Sequence, residues 1–311
     1  MASSASQSPR FGHRIEYGLV VGTRFFLRLV PECCHGAVCR GIAWVWQTLA
    51  PIRRTVVLDN LRRVFPDRSA AWRSRVARDC VAHFAYMLGF FPLIVGKGGA
   101  AALERLVGGV EGEEYGREGG IGQGASILAS AHFGNWELAI DYLSVHRHLK
   151  AAAVAKPMHN PLVEELVARN RRLFGWDIIS TREDPIRPLL QGLRDGLCMV
   201  LLADQDARHE GIFLPFFGYP ASTAVGPALL ACRFKIPLTV GLARRDPVDG
   251  RHYLRFYPPI HPDPSADRKA EVERLTRAYL GYIEDAIREH PEQYFWFHKR
   301  WKTRPPQNAK S

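Results

Sequence analysis

Apolar residues in this chain fall into two patterns: short, mainly apolar runs, and longer stretches that repeat at helical spacing. Short, mainly apolar runs at 126–131, 151–155, 176–180, 197–203, 236–243 and 253–257 read as strands, buried on both faces where the run is continuous. Between them, 161–174, 185–194, 223–234 and 269–289 carry the spacing of helices. Upstream, 56–65 reads as a helix stopped by Pro66, and Ser69 as the N-cap of a helix running to about residue 95, where Gly96 to Gly99 break it. Residues 108–118 are glycine-rich and acidic and read as a short strand and loop. The glycine cluster at 119–124 precedes a strand, whereas a phosphate-cradling loop follows one, so it reads as a turn. Strands alternating with helices imply an α/β fold, with a mixed, largely parallel central sheet flanked by helices.

Ahead of this region lie two apolar, aromatic stretches, 17–30 and 37–49, separated by Pro31. Neither reaches the roughly 18 uninterrupted apolar residues of a spanning helix, because Arg24, Arg28 and Arg40 interrupt them. The mixture suits a membrane-associating helical segment over 15–50, with Trp44 and Trp46 at headgroup level and the arginines toward phosphates. The competing reading is two helices packed on the protein's own core. Residues 1–14 are expected to be disordered, without a cleavable signal peptide, and so is the tail at 306–311.

The chain turns on one junction, Ser126-Ile127-Leu128-Ala129-Ser130-Ala131-His132-Phe133-Gly134-Asn135-Trp136-Glu137. A buried strand ends in a polar cluster, and helical spacing resumes at Leu138, Ala139 and Tyr142. In a continuous helix, residues five apart point about 140° away from each other. His132 and Glu137 can therefore meet only if the chain turns between them. Gly134 allows a turn, and Asn135 suits the N-cap of a helix starting at Trp136. A carboxylate against an imidazole would fix its tautomer and let the ring act as a general base. The alternative is a structural histidine, with Glu137 merely favourable at a helix N-terminus.

Charge and cysteine content narrow the partners. The 311 residues carry 42 Lys+Arg against 31 Asp+Glu, a net charge of +11, which favours an acidic partner: nucleic acid, an anionic membrane or an acidic carrier protein. Six cysteines show no C-x-x-C spacing, which fits a reducing compartment without a zinc site. G-x-S-x-G, G-x-x-x-x-G-K-[ST] and H-E-x-x-H motifs are absent from the sequence. A histidine base without a protein nucleophile suits direct attack by a substrate hydroxyl on an activated acyl group.

Other polar residues complete the candidate site. Asp204, in Asp204-Gln205-Asp206, follows a buried strand, where α/β sheets place ligands. The following Phe213, Phe216 and Phe217 read either as the lining of an acyl channel or as ordinary core. Arg169 and Arg171 sit on a helix near the sheet; each reads as a phosphate or oxyanion contact, or as part of a solvated face. The segment from Tyr294 to Pro305, beginning Tyr294-Phe295-Trp296-Phe297-His298-Lys299-Arg300-Trp301, interleaves aromatics with cations, which suits a lipid headgroup interface and equally base stacking with phosphate contacts.

Four segments together resemble the lauroyl/myristoyl lipid A biosynthesis acyltransferases, within the lysophospholipid and glycerol-3-phosphate acyltransferase superfamily. They are His132-Phe133-Gly134-Asn135-Trp136-Glu137, Asn60-Leu61 through Phe65-Pro66, Asp204-Gln205-Asp206 through Phe216-Phe217-Gly218, and the aromatic segment from Tyr294 to Pro305. The resemblance implies a glycerol-3-phosphate acyltransferase-like fold over 51–305. It also implies a membrane-associated O-acyltransferase at the cytoplasmic side of the inner membrane. The donor would be acyl carrier protein or acyl-CoA, and the acceptor a hydroxyl of a lipid A precursor or related glycolipid. His132 takes the base role and Glu137 the orienting role, with Arg169, Arg171, Asn135 and Asp204 toward substrate. No metal, no further cofactor and no nucleic acid is implied. The same motifs occur in relatives acylating phosphatidylinositol mannosides or lysophospholipids, and a lipid-binding relative without chemistry would keep the fold.

Overall fold

The computed structural model describes residues 9–181 and 186–306. The expected disorder at 1–8 and 307–311, and the start of the helix expected from 185, lie outside the described residues. Within them, helix begins at Phe11, inside the stretch expected to be disordered.

The sheet has seven strands: β1 (Val107–Glu111), β2 (Ser126–Ser130), β3 (Ala151–Ala155), β4 (Asp177–Ser180), β5 (Cys198–Leu202), β8 (Leu238–Arg245) and β9 (His252–Phe256). Their order is β1-β9-β8-β2-β5-β3-β4, and only the β8–β9 pairing is antiparallel. The remaining two strands, β6 (Ile212–Phe216) and β7 (Tyr219–Thr223), form a separate antiparallel hairpin in a stretch for which the sequence suggested no strand. The mixed, largely parallel α/β sheet flanked by helices is therefore present. The central strand β2 is buried along its whole length, which explains its unbroken apolar run.

Five helices precede the sheet: α1 (Phe11–Arg28), α2 (His35–Thr48), α3 (Arg54–Val64), α4 (Ala70–Ala85) and α5 (Phe91–Leu106). Ser69 caps α4, its hydroxyl accepting from the Trp72 amide at 3.1 Å. A π-helical turn, Tyr86–Phe90, joins α4 to α5, and Gly99 breaks α5 with φ 54° and ψ −137°. The helical run Ala70–Leu106 is long and apolar enough to cross a membrane, but its apolar window is 61% buried inside the protein's own fold.

The remaining helices are α6 (Glu113–Glu118), α7 (Trp136–His146), α8 (Pro161–Leu173), α9 (Ile186–Arg194), α10 (Gly226–Phe234) and α11 (Arg268–Glu289). The short α6 was expected as loop. Helix α10 starts at Gly226 because Thr223 is still the last residue of β7.

The structure corrects the expectation for one aromatic segment and chooses between the two readings of another. The stretch from Tyr294 to Trp301 is core: Tyr294, Trp296 and Arg300 are buried, and Arg300 donates to the Thr223 hydroxyl at 2.7 Å while lying 5.1 Å from the Phe216 ring centroid. Asn60 fastens this segment by donating to the carbonyls of Trp296 and His298, both at 2.8 Å. Phe216 is itself buried in that core, and neither it, Phe213 nor Phe217 lines the large cavity described below. Cations and aromatics can pack as easily against each other inside a fold as against lipid.

Candidate active site

The junction after β2 forms as the residue types require. Gly134 adopts φ 58°, and a Cβ there would lie 1.6 Å from the Ala243 carbonyl oxygen, so both the turn and the close approach to β8 require glycine. The Asn135 side chain accepts from the Leu138 amide at 3.1 Å and caps α7, which begins at Trp136. Asn135 is buried beneath the turn and does not line the cavity, which corrects its assignment toward substrate.

Backbone groups around the turn are bonded to parts of the fold remote in sequence. The Gly134 amide donates to Gln293 and the Asn135 amide to Ala243, at 2.8 and 2.9 Å. The His132 carbonyl accepts from the Phe295 amide at 3.0 Å. The Gly134 carbonyl accepts from Nε2 of buried His83, also at 3.0 Å. Burial pulls the His83 imidazole down to about 4, so it sits there neutral with its Nε2 proton engaged.

The partner of His132 differs from the one expected. Strands β2 and β5 are parallel neighbours, with Ser130 opposite Leu202. His132 and Asp204 follow these two strand ends at the same offset, so the register sets them side by side. One carboxylate oxygen of Asp204 accepts both the His132 amide at 3.0 Å and ring Nδ1 at 2.8 Å. Asp204 is 1% exposed. Burial alone would raise its carboxyl, but the His132 imidazole and the hydrogen bonds from its ring and amide outweigh it and hold it below the usual range. Asp204 therefore lies behind the imidazole and not toward substrate.

Glu137 turns the other way. On the first turn of α7 it faces α8, where Arg171 donates through Nε to one carboxylate oxygen at 3.0 Å and through Nη2 to the other at 2.5 Å. The bidentate clamp turns the carboxylate to the arginine, and with ring Nδ1 bonded to Asp204 no hydrogen bond joins Glu137 to His132 among the described residues. Burial would lower the Arg171 guanidinium, but Glu137 outweighs that and raises it, which keeps it charged. Arg169, two residues earlier, faces solvent, because positions two apart on a helix point to nearly opposite sides. The pattern of α8 held this distinction: Val163, Leu166, Val167, Asn170 and Phe174 form one stripe, and Arg171 lies on it while Arg169 does not.

His132, Glu137 and Arg171 share the wall of one cavity of about 950 Å³. Its walls are largely apolar, built from α1, the π-helical turn, α5, α7, β3 and α8, with Trp136 edge-on to the His132 ring at 5.0 Å between centroids. Arg24, expected to face lipid phosphates, lines this cavity and is half-buried. Trp46 is also turned inward and donates to the Ile52 carbonyl at 2.8 Å, whereas Trp44 is exposed. Sequence reasoning missed the α1 wall, because apolar residues on an N-terminal helix carry no mark of what they face.

The chemistry available here is limited and specific. With Nδ1 held by a buried carboxylate, the opposite ring nitrogen of His132 has no protein partner among the described residues and belongs to a ring that lines the cavity. That arrangement can take a proton from a hydroxyl entering an apolar chamber. The guanidinium nearby can stabilise negative charge.

Comparisons with known proteins bear on this geometry. The phosphatidylinositol mannoside acyltransferase of Mycobacterium tuberculosis (strain H37Rv) is 26% identical over 206 residues, covering 65% of this chain and 61% of that protein. The lipid A biosynthesis lauroyltransferase of Escherichia coli K12 is 27% identical over 182 residues, covering 58% of this chain and 56% of that one. Lipid A biosynthesis acyltransferase 1 of Shigella flexneri is 27% identical over 261 residues, covering 81% and 76%. A crystal structure of the 1-acyl-sn-glycerophosphate acyltransferase PlsC from Thermotoga maritima matches with a TM-score of 0.37 and 14% identity, over 88% of this chain and 98% of that one. The chain thus spans about six tenths of the length of the mycobacterial relatives. The sequence pattern of the bacterial lipid A biosynthesis acyltransferases matches residues 5–303, nearly the whole chain, and the protein belongs to that family.

Proposed function

We propose that the protein is a membrane-associated O-acyltransferase. It would move a fatty acyl group from acyl carrier protein, or acyl-CoA, to a hydroxyl of a lipid A precursor or related glycolipid. The observation that carries this reading is the His132 imidazole in the wall of a large, mostly apolar cavity, with Nδ1 bound to buried Asp204. The relatives are named for lipid A and for phosphatidylinositol mannosides. Glycolipid acceptors are what these two names share.

In the proposed reaction the acyl chain lies in the cavity with its thioester carbonyl near His132. Nε2 of His132 takes the proton of the acceptor hydroxyl as that oxygen bonds to the carbonyl carbon, and Asp204 stabilises the imidazolium. Negative charge on the carbonyl oxygen faces the Arg171 guanidinium. Collapse breaks the carbon–sulfur bond and releases an ester, and the departing sulfur takes the proton back from the imidazolium. No acyl-enzyme forms, so both substrates are present together.

The donor reading is supported by the net charge of +11, which suits an acidic carrier protein. Membrane attachment, proposed at the cytoplasmic face of the inner membrane, is supported only as far as lipid contact by the outer surface of α1 and α2, where Phe25, Phe26 and Leu49 are 59%, 68% and 71% exposed. Because α1 also lines the cavity, a membrane held against it would place lipid beside the acyl site.

The test is turnover of myristoyl-loaded acyl carrier protein with a lipid A precursor in detergent micelles. His132→Ala is expected to lose about a hundred- to ten-thousand-fold while keeping its fold. An active His132→Ala enzyme sinks the assignment. Mass spectrometry of lipids from cells with and without the gene would identify the acceptor and the chain together.

A further inference from the structure

Asp141 lies one helical turn beyond Glu137 on α7 and lines the same cavity, although it is only 4% exposed. Burial pushes its carboxyl well above the usual carboxylate range. An aspartate in an apolar wall is costly, so its bond deserves an explanation. Asp141 accepts from the indole Nε1 of Trp176 at 2.7 Å, and that indole is itself buried. The Trp176 ring in turn lies beneath Arg171, whose Cζ is 5.2 Å from the ring centroid.

The arginine is therefore constrained in two ways. Glu137 grips it edge-on through Nε and Nη2, and Trp176 supports it face-on. A carboxylate alone fixes one edge of a guanidinium; an aromatic face below it also fixes its plane. Of the five N–H groups on an arginine, this clamp takes two, one on Nε and one on Nη2. Nη1 has no protein acceptor among the described residues, and Arg171 lines the cavity.

We propose that Trp176 and Asp141 are positioning residues, a shelf that holds the Arg171 guanidinium in the plane where its Nη1 edge meets an oxygen of the substrate. This rests on the reading of Arg171 as a substrate contact. Asp141 acts through Trp176, and Trp176 acts through Arg171; neither touches the reacting atoms. An indole N–H needs only an acceptor oxygen, so an asparagine amide at 141 serves as well as the carboxyl, whereas leucine leaves the indole unpaired.

The experiment is a mutant cycle read as turnover of myristoyl-loaded acyl carrier protein with a lipid A precursor, with thermal melts alongside. Asp141→Leu and Trp176→Leu are made in the wild type and in Arg171→Gln. In the wild type each is expected to lower kcat about ten- to a hundred-fold, the scale of a small misplacement of a contact group, with KM for the donor nearly unchanged. Asp141→Asn should restore the wild-type rate to within about threefold. In Arg171→Gln neither leucine variant should produce a further loss. Equal losses in both backgrounds, or a wild-type rate for Asp141→Leu, overturn the proposal. If Trp176→Leu does not fold, Trp176→Phe keeps a ring and removes the donor, and the same non-additivity is required of it. Full activity of Arg171→Gln alone would instead sink the underlying reading of the arginine, a result separable from the cycle.

Discussion

A single carboxylate oxygen of Asp204 receives two hydrogen bonds from His132, one from ring Nδ1 at 2.8 Å and one from the backbone amide at 3.0 Å. The ring and its own main chain are thus held by the same atom, which fixes both the tautomer and the rotation of the imidazole.

Asp204→Asn should lower kcat about a hundred- to ten-thousand-fold, because a neutral amide cannot stabilise an imidazolium. It should also flatten the acid end of the stability profile. The carboxyl is held below its unfolded value, so its stabilisation is present above about pH 4 and is lost as pH falls through the folded value. Glu137→Gln, which loosens Arg171 and leaves Nδ1 bonded, should lower kcat while leaving the pH dependence of kcat in place. Rate profiles of the two variants separate these roles. A shifted profile for Glu137→Gln alone would restore the His132–Glu137 dyad.

His83 predicts a second pH effect. Its imidazole lies near 4 in the fold against about 6.5 in an unfolded chain, so between these values the unfolded state binds a proton that the folded state does not. Stability should fall as pH drops from about 6.5 to 4, by an amount on the order of a few kcal/mol. His83→Gln, which keeps a donor for the Gly134 carbonyl and cannot titrate, should have a shallower Tm slope across that window. Parallel slopes would contradict the account.

Gly134→Ala tests the turn. The added methyl meets the Ala243 carbonyl oxygen, and the left-handed φ is strained for alanine. Destabilisation above about 3 kcal/mol with loss of turnover is expected from thermal melts and rate assays. Near-wild-type stability would mean that the turn relaxes away from β8.

Membrane attachment is checked by Phe25→Ser with Phe26→Ser. Each exposed phenyl ring contributes about 1.5–3 kcal/mol if fully buried in lipid, so vesicle partitioning should weaken by more than tenfold. Turnover in detergent should be nearly retained. Unchanged sedimentation with anionic vesicles would remove α1 from the membrane contact.

Much of the architecture was legible from the chain because burial imposes short apolar runs on strands, unbroken where both faces are covered as in the middle of β2 and β5. All of the predicted strands exist, and the turn after β2 is set by Gly134 and Asn135 at positions nothing else would fill as well. The hexapeptide His132 to Glu137 stood out by its resemblance to a family motif, since its spacing alone left a structural histidine equally open. What the histidine bonds to was decided elsewhere. Asp204 reaches it only because β2 and β5 are parallel neighbours in one register, and Glu137 is drawn off only because α8 brings Arg171 to it. Spacing along a chain constrains groups within a few residues of each other, whereas pairing across a sheet joins positions 72 residues apart. The aromatic, basic segment after Tyr294 shows the same limit: its composition suits lipid and core alike, and the Asn60 side chain and the β6–β7 hairpin place it in the core. The sequence alone determined the turn that carries His132 and Glu137 and the residue types around it; the tertiary structure decided which carboxylate is bonded to the histidine and which to the arginine.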